Sequence, residues 1–175
     1  VGSSGLHTNG FSLARKILFE DLGLSTSDPL PGSDMNIGEA LLQPHVNYAL
    51  LLKKAYEQFN KGENSKTREG NNVFGVAHIT GGGITGNLPR ILPDGIGAEV
   101  NTESWEKLPI FDLLADKGNV DYEELHQVFN MGIGLIIVCS KESADDVLNL
   151  VTSEGFKGNQ IGSIKAGEKA VKLYK

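Results

Sequence analysis

At 175 residues, with 39% hydrophobic and 22% charged side chains, the chain is long enough for one well-buried core and too short for two domains of usual size. No segment approaches the roughly 18 apolar residues of a membrane span, so a soluble protein is expected; a net charge of -6 argues against broad nucleic-acid binding, which needs clustered Lys and Arg. Cys139 is the only cysteine, which excludes an intramolecular disulfide and a cysteine-rich metal site; in the apolar run Ile136-Ile137-Val138-Cys139 it reads as structural, in keeping with a reducing cytoplasm. The opening Val1-Gly2-Ser3-Ser4-Gly5 has neither an initiator Met nor a signal-peptide pattern, which suits a piece of a longer polypeptide.

In chain order, Phe11, Ala14, Ile17, Leu18 and Leu22 recur at helical spacing, with Gly23 as the stop. Ser25 to Asp34, carrying two prolines and a glycine, reads as a surface connection. Helix resumes near Ile37 and should end at Pro44. Val46 to Phe59 predicts a longer helix through Ala49, Leu50, Leu52 and Tyr56, and Asn60 to Asn72 a charged, exposed connection. Strands are expected at Val73 to His78, Ile96 to Val100, Ile133 to Val138, Asn159 to Ile164 and Ala170 to Tyr174. Helices are expected at Ile110 to Ala115, Tyr122 to Phe129 and Ala144 to Thr152, the last two capped by Asp121 and Ser143. Helices and strands in this order make a layered domain, with the strand order left open.

The run His78-Ile79-Thr80-Gly81-Gly82-Gly83, with Asn87-Leu88-Pro89-Arg90 close behind, carries the strongest chemical signal. Three glycines without β-carbons let the backbone take positive φ and bring its N–H groups close to a ligand. With a buried strand before it and a short helix from Ile84 to Ile91 after it, the turn has the layout of a phosphate site. A glycine triplet also serves ordinary turns and close backbone packing, so other residues must decide.

The loop Ser3 to Ser12 is a second polar constellation. Ser12 can cap the helix that follows or present its hydroxyl to a phosphate, and His7 can donate a hydrogen bond or move a proton near neutral pH. No His, Cys or carboxylate lies near His7 at metal-ligand spacing, so substrate contact ranks above metal binding and no metal ligand is assigned. Arg90 can pair bidentately with a phosphate or brace a neighbouring carboxylate. Phe129-Asn130-Met131-Gly132-Ile133-Gly134 places two glycines at the start of a strand, where packing is the first reading. His45 and His126 have no partner pattern and read as structural or solvent-facing.

Three of these stretches together resemble one family. Ser3-Ser4-Gly5-Leu6-His7-Thr8-Asn9-Gly10-Phe11-Ser12-Leu13-Ala14-Arg15, the glycine run with its Asn-Leu-Pro-Arg, and Phe129 to Gly134 are similar in order and spacing to motifs of the phosphoribosylformylglycinamidine cyclo-ligases, the aminoimidazole ribonucleotide synthetases. Gly38 to Pro44 and Ile161 to Ile164 add weaker matches. The resemblance covers essentially the whole chain, but only the C-terminal half of the enzyme. It implies an α+β fold, a layered α/β/α domain with a central mixed sheet flanked by helices, and a two-domain enzyme of which residues 1–175 form the C-terminal domain.

The resemblance further implies an ATP-dependent ligase of purine biosynthesis that closes the imidazole ring of a phosphorylated ribonucleotide. His7 would transfer a proton or polarise the substrate, Asn9 and Ser12 would line one side of the cleft, and His78, Gly81, Gly82, Gly83, Asn87 and Arg90 the other. ATP and Mg²⁺ would be held mainly by an N-terminal domain outside this chain, and the full-length enzyme would be a cytoplasmic homodimer without nucleic-acid or membrane partners. One departure stands out: after Pro44 the family usually continues Thr-Arg-apolar-Tyr, where this chain has His45-Val46-Asn47-Tyr48. Two other readings compete: another branch of the same ATP-dependent superfamily, and a non-catalytic module that binds a phosphorylated metabolite.

Overall fold

A computed structural model describes residues 1–61 and 72–175; the connection predicted from Asn60 to Asn72 falls almost wholly outside them. The first helix begins as α1 (Phe11–Arg15) and runs on as a π-helix over Lys16–Asp21. The Leu22 N–H reaches back five residues to the Ile17 carbonyl at 3.0 Å, the mark of a π turn, and Gly23 ends the stretch at φ 63°. Helix α2 (Ile37–Leu41) starts in a capping box. Asn36 accepts from the Glu39 N–H and Glu39 accepts from the Asn36 N–H, both at 2.8 Å, and the helix closes at Leu42, two residues before the predicted stop at Pro44. Ile17, Leu18 and Ile37 pack with Phe111 and Leu114 of α5 (Pro109–Lys117) and with Leu125 of α6 (Tyr122–Val128) into a first core.

The strands divide between two sheets. β1 (Val73–His78) pairs antiparallel with β3 (Leu135–Cys139), His78 opposite Leu135. β2 (Ile96–Asn101) is the middle of a mixed sheet, antiparallel to β4 (Gly162–Ala166) and parallel to β5 (Val171–Tyr174). The helix α4 (Gly83–Asn87) and the 3₁₀ turn Leu88–Ile91 that continues it lie between them, and Ile79, Ile84, Leu88, Ala98, Val100 and Ile133 form a second core there. A third core lies under α3 (Ala49–Phe59) and α7 (Ala144–Ser153), where Leu51, Ala55 and Phe59 meet Leu135, Val147 and Val151. The result is the α+β layered domain expected, and no described helix is long and apolar enough to cross a membrane.

Local departures have physical causes. Helix α3 starts at Ala49 rather than Val46, and it buries Leu51, Ala55 and Phe59, not the face through Leu50 and Tyr56, which are 59% and 61% exposed. Three consecutive leucines, Leu50 to Leu52, made the buried face ambiguous in the sequence. Asp121 and Ser143 hold the N-cap positions of α6 and α7, yet neither side chain caps; Ser143 instead shares a 2.8 Å hydroxyl contact with Ser140. β3 begins at Leu135 because Met131 and Gly132, at φ 49° and 97°, turn the chain just before it.

Candidate functional site

The loop ahead of α1 turns sharply at His7, whose backbone sits in the left-handed region at φ 57°. A non-glycine residue held there is strained by about 1 kcal/mol or more, and such strain concentrates at functional sites. Its surroundings hold it in place. Ser4 donates its N–H to His7 Nε2 at 3.2 Å, and the Ser4 hydroxyl donates to the Pro44 carbonyl at 2.5 Å, tying the loop to the segment that carries His45. Asn130 anchors the same loop from below: its amide donates to the Gly5 carbonyl at 2.8 Å, and its Oδ1 accepts from the Ser3 hydroxyl and the Gly132 N–H.

Three imidazoles from distant segments meet there. His45 stacks on His7 with ring centroids 4.0 Å apart, and its Nε2 lies 3.0 Å from His78 Nε2 at the end of β1. Tyr48 sets its ring edge against His78 and donates its hydroxyl to the Gly2 carbonyl at 2.6 Å. Gly134 makes the room: a β-carbon there would stand 2.1 Å from the Tyr48 hydroxyl and 2.7 Å from His7 Cε1. His7 is only 5% exposed, and its Nδ1 is buried without a hydrogen-bond partner.

Burial, reinforced by the two neighbouring imidazoles, pushes His7 down to about 4, and burial with His78 lowers His45 as well. At neutral pH His7 is therefore an uncharged imidazole, a hydrogen-bonding group whose basicity is low for proton abstraction. Since Nε2 accepts from Ser4, the ring proton sits on Nδ1. Burial also raises Tyr48, which keeps its proton.

The glycine loop forms the facing wall. Gly82 and Gly83 take positive φ, 98° and 59°, as expected of a triplet read for its backbone freedom. Their duties differ. Gly81 is exposed and its absent β-carbon would lie 3.4 Å from Asn9 Oδ1, so this is where the two walls touch. Gly83 is buried, and a β-carbon there would fall 1.7 Å from the His126 carbonyl oxygen, so its small size serves packing against α6. Asn87 is buried too. Its amide reaches the carbonyls of Thr80, Gly81 and Gly83 at 2.8–3.2 Å while its Oδ1 accepts from the Thr80 hydroxyl at 3.1 Å, so the side chain is committed to the loop itself.

The structure thus brings together His7, Asn9, His78 and Gly81, with Gly82 half-buried next to Gly81 and Gly83 and Asn87 buried behind them. Ser12 lies exposed on α1, whose N-cap is Gly10, and it makes no capping bond. Arg90 is exposed and forms no ion pair among the described residues. His126 is buried beside Tyr122, a structural position. Sequence reasoning missed His45, Tyr48 and the anchoring role of Asn130, while its packing reading of Gly134 holds. His45 stands where the chain departs from the pattern that the resemblance implies, Tyr48 keeps that pattern's tyrosine, and no local spacing joins either to His7.

Among the described residues, the cluster able to gather three metal-ligating side chains is this histidine trio. Imidazoles do not suit Mg²⁺, a hard ion that takes oxygen ligands, so this trio does not fit it.

Comparison with known proteins identifies the family of the chain. The sequence model of the family described as AIR synthase related protein, C-terminal domain, matches residues 1–174. The phosphoribosylformylglycinamidine cyclo-ligase of Geobacillus kaustophilus is 43% identical over 165 residues, covering 94% of this chain and 44% of the relative. That of Myxococcus xanthus is 41% identical over 169 residues, covering 95% and 45%. The chloroplastic enzyme of Arabidopsis thaliana is 39% identical over 166 residues, covering 95% and 39%. The chain therefore spans less than half the length of these relatives, and it belongs to the family of AIR synthase related C-terminal domains.

Proposed function

We propose that the chain is the C-terminal, substrate-cleft domain of a two-domain ATP-dependent cyclo-ligase acting in purine biosynthesis. What supports this reading is the meeting of three separate motifs at one place: the His7 loop, the glycine loop and the Asn130–Gly134 turn that holds the first against β3. The relatives' name supplies the substrate, formylglycinamidine ribonucleotide. In the reaction, ATP transfers its terminal phosphoryl group to the formyl oxygen, giving ADP and an activated carbon. An amidine nitrogen then attacks that carbon, the ring closes, and the phosphorylated oxygen leaves as inorganic phosphate with the loss of a proton. Esterification is needed because an amide oxygen is a poor leaving group, and the protein's work is positioning and charge stabilisation.

Within this domain, Asn9 and the exposed edge of the loop at Gly81 line the ribonucleotide cleft, with Gly82, Ser12 and Arg90 farther along its walls. Gly83 and Asn87 set the loop's shape from behind. His7 acts as a neutral hydrogen-bond donor that polarises the substrate, in keeping with its depressed basicity. Its ring lies beneath His45, so substrate reaches it when His45 swings aside. ATP and Mg²⁺ are held mainly by the N-terminal domain, across which the full-length protein dimerises in the cytoplasm.

Turnover tests the proposal. The two-domain protein carrying this chain is expected to form aminoimidazole ribonucleotide, ADP and phosphate from formylglycinamidine ribonucleotide and ATP, while residues 1–175 alone bind the ribonucleotide without turnover. ADP release with no ring closure, or no reaction at all, would sink it.

A further inference from the structure

We propose that His7, His45 and His78 form a binding site for a divalent ion of borderline softness, zinc foremost. One ring nitrogen from each can serve as ligand, and these atoms all lie within 4.8 Å of one another. Zn–N bonds of roughly 2.0–2.1 Å in a tetrahedral shell set ligand nitrogens about 3.3–3.4 Å apart. The His45–His78 pair, at 3.0 Å, is already near that spacing. Two imidazoles in such close contact need a shared proton or a shared cation to reconcile their lone pairs.

The third ligand is held ready. His7 is fixed by its loop and buried, and one of its nitrogens lacks any partner. His45 and His78 face solvent more openly, which gives the ion an approach and the fourth ligand position to water. The stacked His45 ring must turn out of its parallel contact with His7 to point a nitrogen at the ion, so the ion itself completes the site.

One coupling follows from proton accounting. His7 Nε2 now accepts the Ser4 N–H. If the ion takes Nε2 the acceptor is gone, and if it takes Nδ1 the ring proton moves to Nε2, with the same result. Metal binding therefore releases the Ser4 amide in either case.

The test is a titration of this chain with Zn²⁺ by calorimetry at about pH 7.5, where free imidazoles are neutral, and with Co²⁺ by visible absorption. The expected result is one ion per chain, a Co²⁺ d–d spectrum of low coordination number, and a displaced Ser4 amide resonance. His45→Ala and His78→Ala should each weaken Zn²⁺ binding by at least about tenfold, while Asp145→Ala leaves it unchanged. Both histidines face solvent, so these variants keep the fold. Unchanged affinity in either histidine variant, or no saturable uptake by the parent chain, would overturn the site. Because the readout is metal uptake, turnover without uptake overturns only this site, and uptake without turnover overturns only the cyclo-ligase reading.

Discussion

The histidine wall and the glycine wall meet at Asn9 and Gly81, yet they are held by opposite means. The glycine wall is made within ten residues, from Thr80 to Pro89, and its shape is fixed by backbone conformation and by one buried amide, Asn87, bonded to three carbonyls. The histidine wall draws on residues 7, 45 and 78 and is held by ring contacts between side chains. Local backbone geometry makes a rigid surface; convergent imidazoles make one that an added proton or ion can rearrange.

The largest test of that contrast is Gly83→Ala. Its β-carbon would overlap a backbone carbonyl of α6, and its φ of 59° is unfavourable for alanine, so α4 and α6 must separate. A loss of more than about 4 kcal/mol is expected, read as a fall in Tm of roughly 10 °C or more. A Tm within a few degrees of the parent would mean that the glycine wall is softer than described.

Acid should act on the other wall. The unfolded chain takes up a proton at His7 near the ordinary value of 6.5, whereas the folded chain holds it neutral down to about 4. Stability from this residue is complete above 6.5, falls as the pH drops through that interval and levels off below 4, a loss of about 3 kcal/mol in all. His45 and His126, both lowered, act in the same direction. Denaturant titrations across this range should show a shallower acid loss for His7→Gln than for the parent; parallel curves would remove His7 from the account. The smallest effect belongs to Gly81→Ala. Its β-carbon makes an ordinary contact with Asn9, so stability should change by less than about 0.5 kcal/mol, while a rise in KM for the ribonucleotide would place substrate at that edge.

What was legible in the sequence follows the same division. The glycine triplet announced its turn because positive φ has a local signature, and β1 and α4 fell where apolar runs and glycines put them. The capping box at Asn36 and Glu39 is equally local. His45 is illegible as a site residue, since 37 residues, α1 and α2 among them, separate it from His7 and only folding makes them neighbours. The role of Asn130 goes unsignalled for a related reason: a buried asparagine that pins a loop 125 residues away leaves no periodicity. The exposed face of α3 was misjudged because a leucine triplet satisfies more than one helical stripe.

Gly134 carries a consequence for how this wall can change over generations. Its single hydrogen atom is the floor on which both the Tyr48 hydroxyl and the His7 ring rest, so any larger residue displaces two rings at once. From the solvent side, by contrast, His45 and His78 can be exchanged one at a time. Sequence drift can therefore retune the cleft from its mouth inward, while the floor stays fixed for as long as the rings above it are needed.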